Sequence, residues 1–485
     1  MALSNAAICG LLIASHGRAA DAVDASTAPA TLQKPAWLTD LSIGIKESYD
    51  DNVFKSGVAP ASATALQQGI NNDFGAVPAG SVLALRNVVS AVTTVSPKVG
   101  VNFAPLLGDQ KTLQVLALGY APDFVTYHDA PTESYTAQRV AATVKWQDEN
   151  WSFSLDDGFT YINGNRFGPT YPADLMSAWA TSTVRERREQ TQDRGTASLK
   201  YDQENWFVRS LVTGLDYNLE TPEYLYPGYQ NYINRYDVNG GLDVGYKIQP
   251  QFALTLGYRY GHQYQSEFTF APSFASAFPI VTAHSPNDYQ RVLVGFEGKP
   301  WKWLSASFQI GPDFRSFDAS TPVNDKNPVK YYGEGALAAT VSPKDTLAFK
   351  YKQWEWVSST GLVPYFESTF DLGYSRKVTD ALSLSLGARA LGANYNPNNI
   401  LANSQNLTIN GDTYTVLGDR LDRSDWQYTL SAGMQYAFTA NFSVNLAYSY
   451  DLGVNEQDGL LAGVNGYQPR GFNHQLVSLG MAFKF

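Results

Sequence analysis

Cysteine is nearly missing from this chain: one residue in 485, Cys9. It sits in an apolar stretch over residues 1–15 that reads as the core of a secretory signal, with the small residues of 17–22 as the cleavage region. Without that signal the chain has no route to a disulfide or a thiolate metal site. Long hydrophobic runs are missing too. Beyond residue 30 nothing approaches the ~18 or more apolar residues that a membrane helix needs, which excludes a helical membrane protein. Histidine is scarce: beyond the signal there are only His128, His262, His284 and His474, none in an H-x-x-x-H or nucleophile-elbow setting. Hydrolysis needs a nucleophile, a base and an orienting group in mutual reach, so neither an enzyme nor a bound cofactor is expected. Excess positive charge is absent, and a formal net charge of −10 argues against a nucleic-acid partner. No Pro/Ser-rich or charge-run linker marks a domain boundary, although a prior of roughly 150 residues per domain would suggest about three soluble domains.

Aromatics and glycine are plentiful, with 30 Tyr, 25 Phe, 10 Trp and 39 Gly. Over the closing residues 472–485, Val477, Leu479, Met481, Phe483 and Phe485 share one parity, while Ser478, Gly480, Ala482 and Lys484 take the other. Alternate side chains of a strand face opposite sides, so the segment shows one apolar face and one polar face. The pattern recurs in Phe252, Leu254, Leu256, Tyr258 and Tyr260, and again in Phe442, Val444, Leu446, Tyr448 and Tyr450. Short turns rich in Pro, Gly, Asn or Asp fall at 107–111, 147–150, 202–205, 248–251, 299–302, 342–345, 378–381 and 437–441, with nine longer polar segments between them. Eight turns and nine loops imply 18 strands, and an even count puts both chain ends on the short-turn side. Trp146, Trp151, Tyr201, Trp206, Tyr246 and Trp301 gather at the short-turn ends, and Tyr127, Tyr161, Tyr217, Tyr260 and Tyr450 at the loop ends. Two aromatic belts are what a bilayer with two interfaces selects. The expected fold is therefore all-β: a transmembrane antiparallel up-and-down β-barrel of about 18 strands over residues 38–485, with short periplasmic turns and long extracellular loops. A signal peptide over 1–22 and a short periplasmic segment over 23–37 precede it.

Barrels of 16–18 strands leave an aqueous channel, so the inward parity is where chemistry is expected. The candidate pore-lining residues are Arg139, Lys145, Asp243, Lys247, Arg259, Glu297, Lys350, Glu367, Asp371 and Arg389. They either solvate a polar wall or focus a field that sets solute preference, and a lining of both signs predicts weak selectivity. Residues 206–218 and 330–341 are ambiguous in parity. Arg185, Arg187 and Arg188 form the densest charge cluster: a constriction favouring anions if that loop enters the lumen, a solvated strand end if not. Aromatics at Tyr224, Tyr226, Tyr229 and Tyr232 offer faces for sugars or pack on one another. The acidic pairs Asp50-Asp51 and Asp156-Asp157 are weak calcium candidates, lacking further spaced oxygens.

The closing segment resembles the C-terminal strand by which bacterial outer-membrane barrels are recognised by their assembly machinery. Residues 41–54, an alternating strand that runs into Tyr49-Asp50-Asp51-Asn52-Val53-Phe54, resemble the opening of the porin-like outer-membrane β-barrel family. The likeness covers the mature chain in outline, and the Ala/Gly-rich first loop, 55–87, departs from it. The resemblance implies location in the bacterial cell outer membrane, with outer-membrane lipid and the barrel assembly machinery as partners. Through that family's association with exopolysaccharide production it also implies an oligosaccharide or polysaccharide, and it supplies no catalytic residues. A plug domain before the first strand, as in TonB-dependent transporters of about 22 strands, is not expected. Two functions follow as expectations: a porin-like channel passing hydrophilic solutes or exporting a polysaccharide, or a closed barrel that anchors surface material, its lumen occluded by loops 55–87 and 163–190. A homo-oligomer is an expectation by analogy with general porins alone.

Overall fold

The computed structural model describes residues 35–55, 88–108, 111–165, 186–220, 234–266, 285–319, 321, 325–357, 364–395, 405–409, 412–416, 423–457 and 472–485. The signal segment, most of the first loop, Arg185, His284 and the aromatics at 224–232 lie outside them. The described chain is almost wholly strand: β1 (Leu38–Asp50), β2 (Ser90–Asn102), β3 (Leu113–Tyr120), β4 (Asp123–Tyr127), β5 (Tyr135–Gln147), β6 (Trp151–Asn163), β7 (Gln190–Asp202), β8 (Trp206–Leu219), β9 (Arg235–Gln249), β10 (Phe252–Gln265), β11 (Asn287–Trp301), β12 (Leu304–Phe317), β13 (Val329–Ser342), β14 (Asp345–Trp356), β15 (Tyr365–Lys377), β16 (Leu382–Tyr395), β17 (Gln405–Ile409), β18 (Asp412–Val416), β19 (Arg423–Ala437), β20 (Phe442–Gln457) and β21 (Phe472–Lys484).

Neighbours in the sequence pair antiparallel around a ring, and β21 pairs back onto β1. β3 and β4 make a single crossing, since β2 and β5 each pair with both. Pro122 lies in the break, where it has no N–H to give a ladder. β17 and β18 form a separate hairpin between β16 and β19. The result is a closed antiparallel barrel of 18 crossings, the number that the turns and loops require. Closure leaves the barrel's own sheet no free edge.

Register carries each side-chain row around the wall. Leu256 lies opposite Val294, and Arg259 opposite Arg291. Leu256 and Val294 are each 56% exposed, while Arg259 and Arg291 are 4% and 3% exposed. Apolar rows outside and charged rows inside reverse the arrangement of a water-soluble domain. Aromatic rings cluster at the short-turn end of the outer wall, with Trp151, Tyr201 and Trp206 in series at 4.8 and 5.8 Å and Phe438, Phe442 and Phe483 at 5.5 and 4.7 Å.

Candidate functional site

The bore has two unlike halves. Toward the short turns its wall on β16, β19 and β20 is small and uncharged, with Ser383, Ser385, Gly387, Ser431, Gly433, Ser443 and Asn445 on the inward rows, none of them buried. Toward the long loops many inward residues are buried, on the β2 and β4 side in a cluster around Val53 and on the other side against one hairpin. β12 and β13 stay paired as far as Phe314 and Val329, but β13 and β14 part after Gly333 and Gln353. β14 and β15 run on together to Trp356 and Tyr365. The end of β14 therefore leaves the wall and lies inside the barrel.

Strands that are not its neighbours hold it there. Arg235 of β9 donates to the Val357 carbonyl at 2.7 Å. Gln263 of β10 and Arg315 of β12 both donate to the Glu355 carbonyl at 3.1 Å. Trp354 and Trp356 stack at 4.6 Å, with Lys352 above the first ring at 3.9 Å and Arg235 above the second at 4.7 Å. They pack in one cluster with Leu215, Tyr217, Leu293, Tyr332, Tyr365, Leu391 and Ala393, drawn from β8 on one side of the barrel to β16 almost opposite. Buried aromatics with a cation over one face of each ring supply apolar contact and cation–π attraction together.

Register puts all ten candidate pore-lining residues on the inner face. Most are engaged. Arg139 pairs with Asp123, and Lys247 with Asp202 at 2.6 Å. Asp243 meets Arg259 at 2.7 Å and Arg209 at 2.8 Å, and Arg209 also takes Glu297 at 2.8 Å. Asp371 pairs with Arg389 at 3.1 Å and lies across from Lys350. Glu367 accepts from Trp354 Nε1 at 3.3 Å. Lys145 is exposed on the inner row facing Ser154 of β6. Arg209 was not legible because the parity of β8 was ambiguous. Trp354 and Trp356 did leave a signal, since they continue the inward parity of Lys350 and Lys352 rather than the outward parity of an interface belt.

Arg187 and Arg188 are buried rather than solvated. Both are clamped to Glu133, a residue of the short turn Pro131–Glu133, at 2.8 and 2.6 Å. Arg187 also donates to the Val53 carbonyl at 2.9 Å, which ties three long-loop connections together. Burial alone would raise the Glu133 carboxyl, but the two guanidiniums outweigh it and hold the group below its ordinary range. The acidic pair Asp156-Asp157 splits across the wall, Asp156 facing in beside Thr143 and Asp157 facing out, so the two cannot share one cation.

One packing detail sets the upper charge layer. Tyr289 donates to both Asp237 oxygens at 3.0 Å, and Arg291 lies between the Tyr289 and Tyr332 rings at 4.0 and 4.1 Å. The Tyr289 ring occupies the place of a side chain at Gly261, where a Cβ would come within 2.3 Å of it. Gly261→Ala is expected to displace the ring and lower stability by about 1–3 kcal/mol. A denaturant midpoint unchanged from the parent would show that the ring yields freely.

No family model matches the chain, and no curated protein matches it. Among solved structures it is similar to the ferric citrate transporter FecA in the unliganded form, at TM-score 0.40 and 11% identity over 93% of this chain and 79% of that one. It is also similar to Pseudomonas aeruginosa OccK2 (OpdF) in complex with glucuronate, at TM-score 0.39 and 9% identity over 92% and 98% of the two chains. The siderophore receptor PirA from Acinetobacter baumannii gives TM-score 0.39 and 9% identity over 92% and 81%. Likenesses this distant assign no function.

Proposed function

We propose that this chain is an outer-membrane channel for hydrophilic solutes, open from the periplasm and stopped at its outer half by the inturned end of the β14–β15 hairpin. The observation that carries the reading is the hairpin itself. The end of β14 stands inside the lumen while β15 stays laddered to β16 as far as Tyr365 and Tyr395, and it is pinned through its backbone carbonyls by Arg235, Gln263 and Arg315, so freeing that segment would widen the bore without unfolding the barrel. The apolar outer rows and aromatic ring clusters support a lipid surround. Short turns then lie in the periplasm and long loops outside. The apolar-faced strand β21 would serve as the signal to the assembly machinery. Charges of both signs on the inner wall, most of them paired, point to weak selectivity.

Conductance of the purified barrel across a planar bilayer tests this. Brief, infrequent openings with little preference between cations and anions are expected, and block by added oligosaccharides would extend the cargo to a saccharide. A folded barrel that never conducts, even with the hairpin loosened, would sink the channel and leave an anchoring barrel.

A further inference from the structure

Where the barrel closes, the first and last strands bring three metal-ligating groups together at the long-loop end. Asp50 ends β1, Asp51 follows it, and His474 stands near the start of β21. One ligand atom from each lies within 4.8 Å of the others. The imidazole is oriented from outside this group. Its Nδ1 stands 2.8 Å from Asp451 Oδ2, which also takes the Lys55 ammonium at 2.8 Å, while Asp451 Oδ1 accepts the Thr429 hydroxyl. An ionised carboxylate only accepts, so Nδ1 carries the proton. Nε2 is thereby aimed at Asp50 Oδ1, 3.1 Å away. A histidine that donates through one nitrogen to a carboxylate while presenting the other to further ligands is the arrangement by which proteins orient an imidazole on a metal.

We propose that Asp50, Asp51 and His474 bind a divalent first-row transition ion such as zinc and so tie the first strand to the last. One imidazole nitrogen with carboxylate oxygens suits such an ion at bond lengths of ~2.0–2.2 Å. Calcium, with its about 6–8 oxygen ligands, suits the set less well. Asp50, Asp51 and His474 are the ligands, and Asp451 is a positioning residue that holds the ring. The inference stands apart from the channel reading. A proton is the other occupant of the gap between Nε2 and Asp50, which would make the ring an imidazolium clasped by two carboxylates.

Calorimetry separates the two. The full chain, folded in detergent and stripped with EDTA, is titrated with zinc chloride. One binding event is expected, lost in His474→Gln and weakened about 10–100-fold in Asp451→Asn, which leaves all three ligands in place. Bound zinc is expected to raise the temperature at which the unboiled protein loses its compact mobility on a gel, and Asp51→Asn, at a partly exposed position just past the strand, supplies a variant whose folding is least at risk. Compact mobility before heating shows that each variant is folded. Absence of binding at millimolar zinc in the folded parent would overturn the proposal in favour of the imidazolium, and so would binding undiminished in both His474→Gln and Asp51→Asn.

Discussion

Trp356→Ala is expected to open the barrel. The side chain is fully buried, stacks on Trp354 and carries the Arg235 guanidinium on its face. Truncating a packed Trp costs about 3–5 kcal/mol, and every ~1.4 kcal/mol is tenfold in an equilibrium. If most of that cost falls on the inturned hairpin rather than on the wall, the ratio of closed to open states drops by roughly two to three powers of ten. The time-averaged current through a planar bilayer should rise at least about tenfold. Arg235→Gln removes the clamp on the Val357 carbonyl while sparing the rings, and should move the current the same way by a smaller factor. Unchanged conductance in both variants, each shown to be folded by compact gel mobility, would mean that the hairpin is a fixed wall and not a stop.

Glu133→Gln is the second large effect. The carboxyl is 1% exposed and is the shared partner of Arg187 and Arg188, themselves 5% and 1% exposed. Removing the common anion strands two buried guanidiniums, a change of about 3–5 kcal/mol. The loss should fall on the long-loop end, where Arg187 also holds the Val53 carbonyl. Trypsin cuts after arginine, so cleavage after Arg187 and Arg188 should be at least about a hundredfold faster in the variant than in the parent. Equal cleavage rates would show that the clamp contributes nothing to closing this end.

The same carboxyl predicts a pH dependence. Its folded pKa lies below the ordinary 4.5, so the folded state binds the proton more weakly than the unfolded one. Its stabilising contribution is complete above about 4.5 and fades as pH falls through the lower folded value. The parent's thermal midpoint should therefore fall more steeply than that of Glu133→Gln as pH drops below about 4.5. Parallel curves would place the stabilisation elsewhere.

Strand number, closure and facing were written in the sequence, because a wall with unlike sides imprints a period of two, and turns and loops punctuate it. The rows through Leu256 and Tyr448 needed nothing else, and Arg259, Asp243 and Arg389 could be put inside from parity alone. Parity says which side a residue takes, however, and not what it meets there. Arg209 reaches Glu297 across two intervening strands, and Glu133 meets Arg187 and Arg188 across 54 and 55 residues of sequence. Pairings of that range depend on curvature and loop path, which no local pattern records. The stop in the bore is the clearest case. Trp354 and Trp356 sit on the inward parity of their strand, but only the parting of β14 from β13 carries them off the wall and into the lumen. A strand's two faces are a local property of the chain, whereas leaving the wall is decided by the sum of contacts from β8 to β16 that receive it, and those exist only once the barrel has closed.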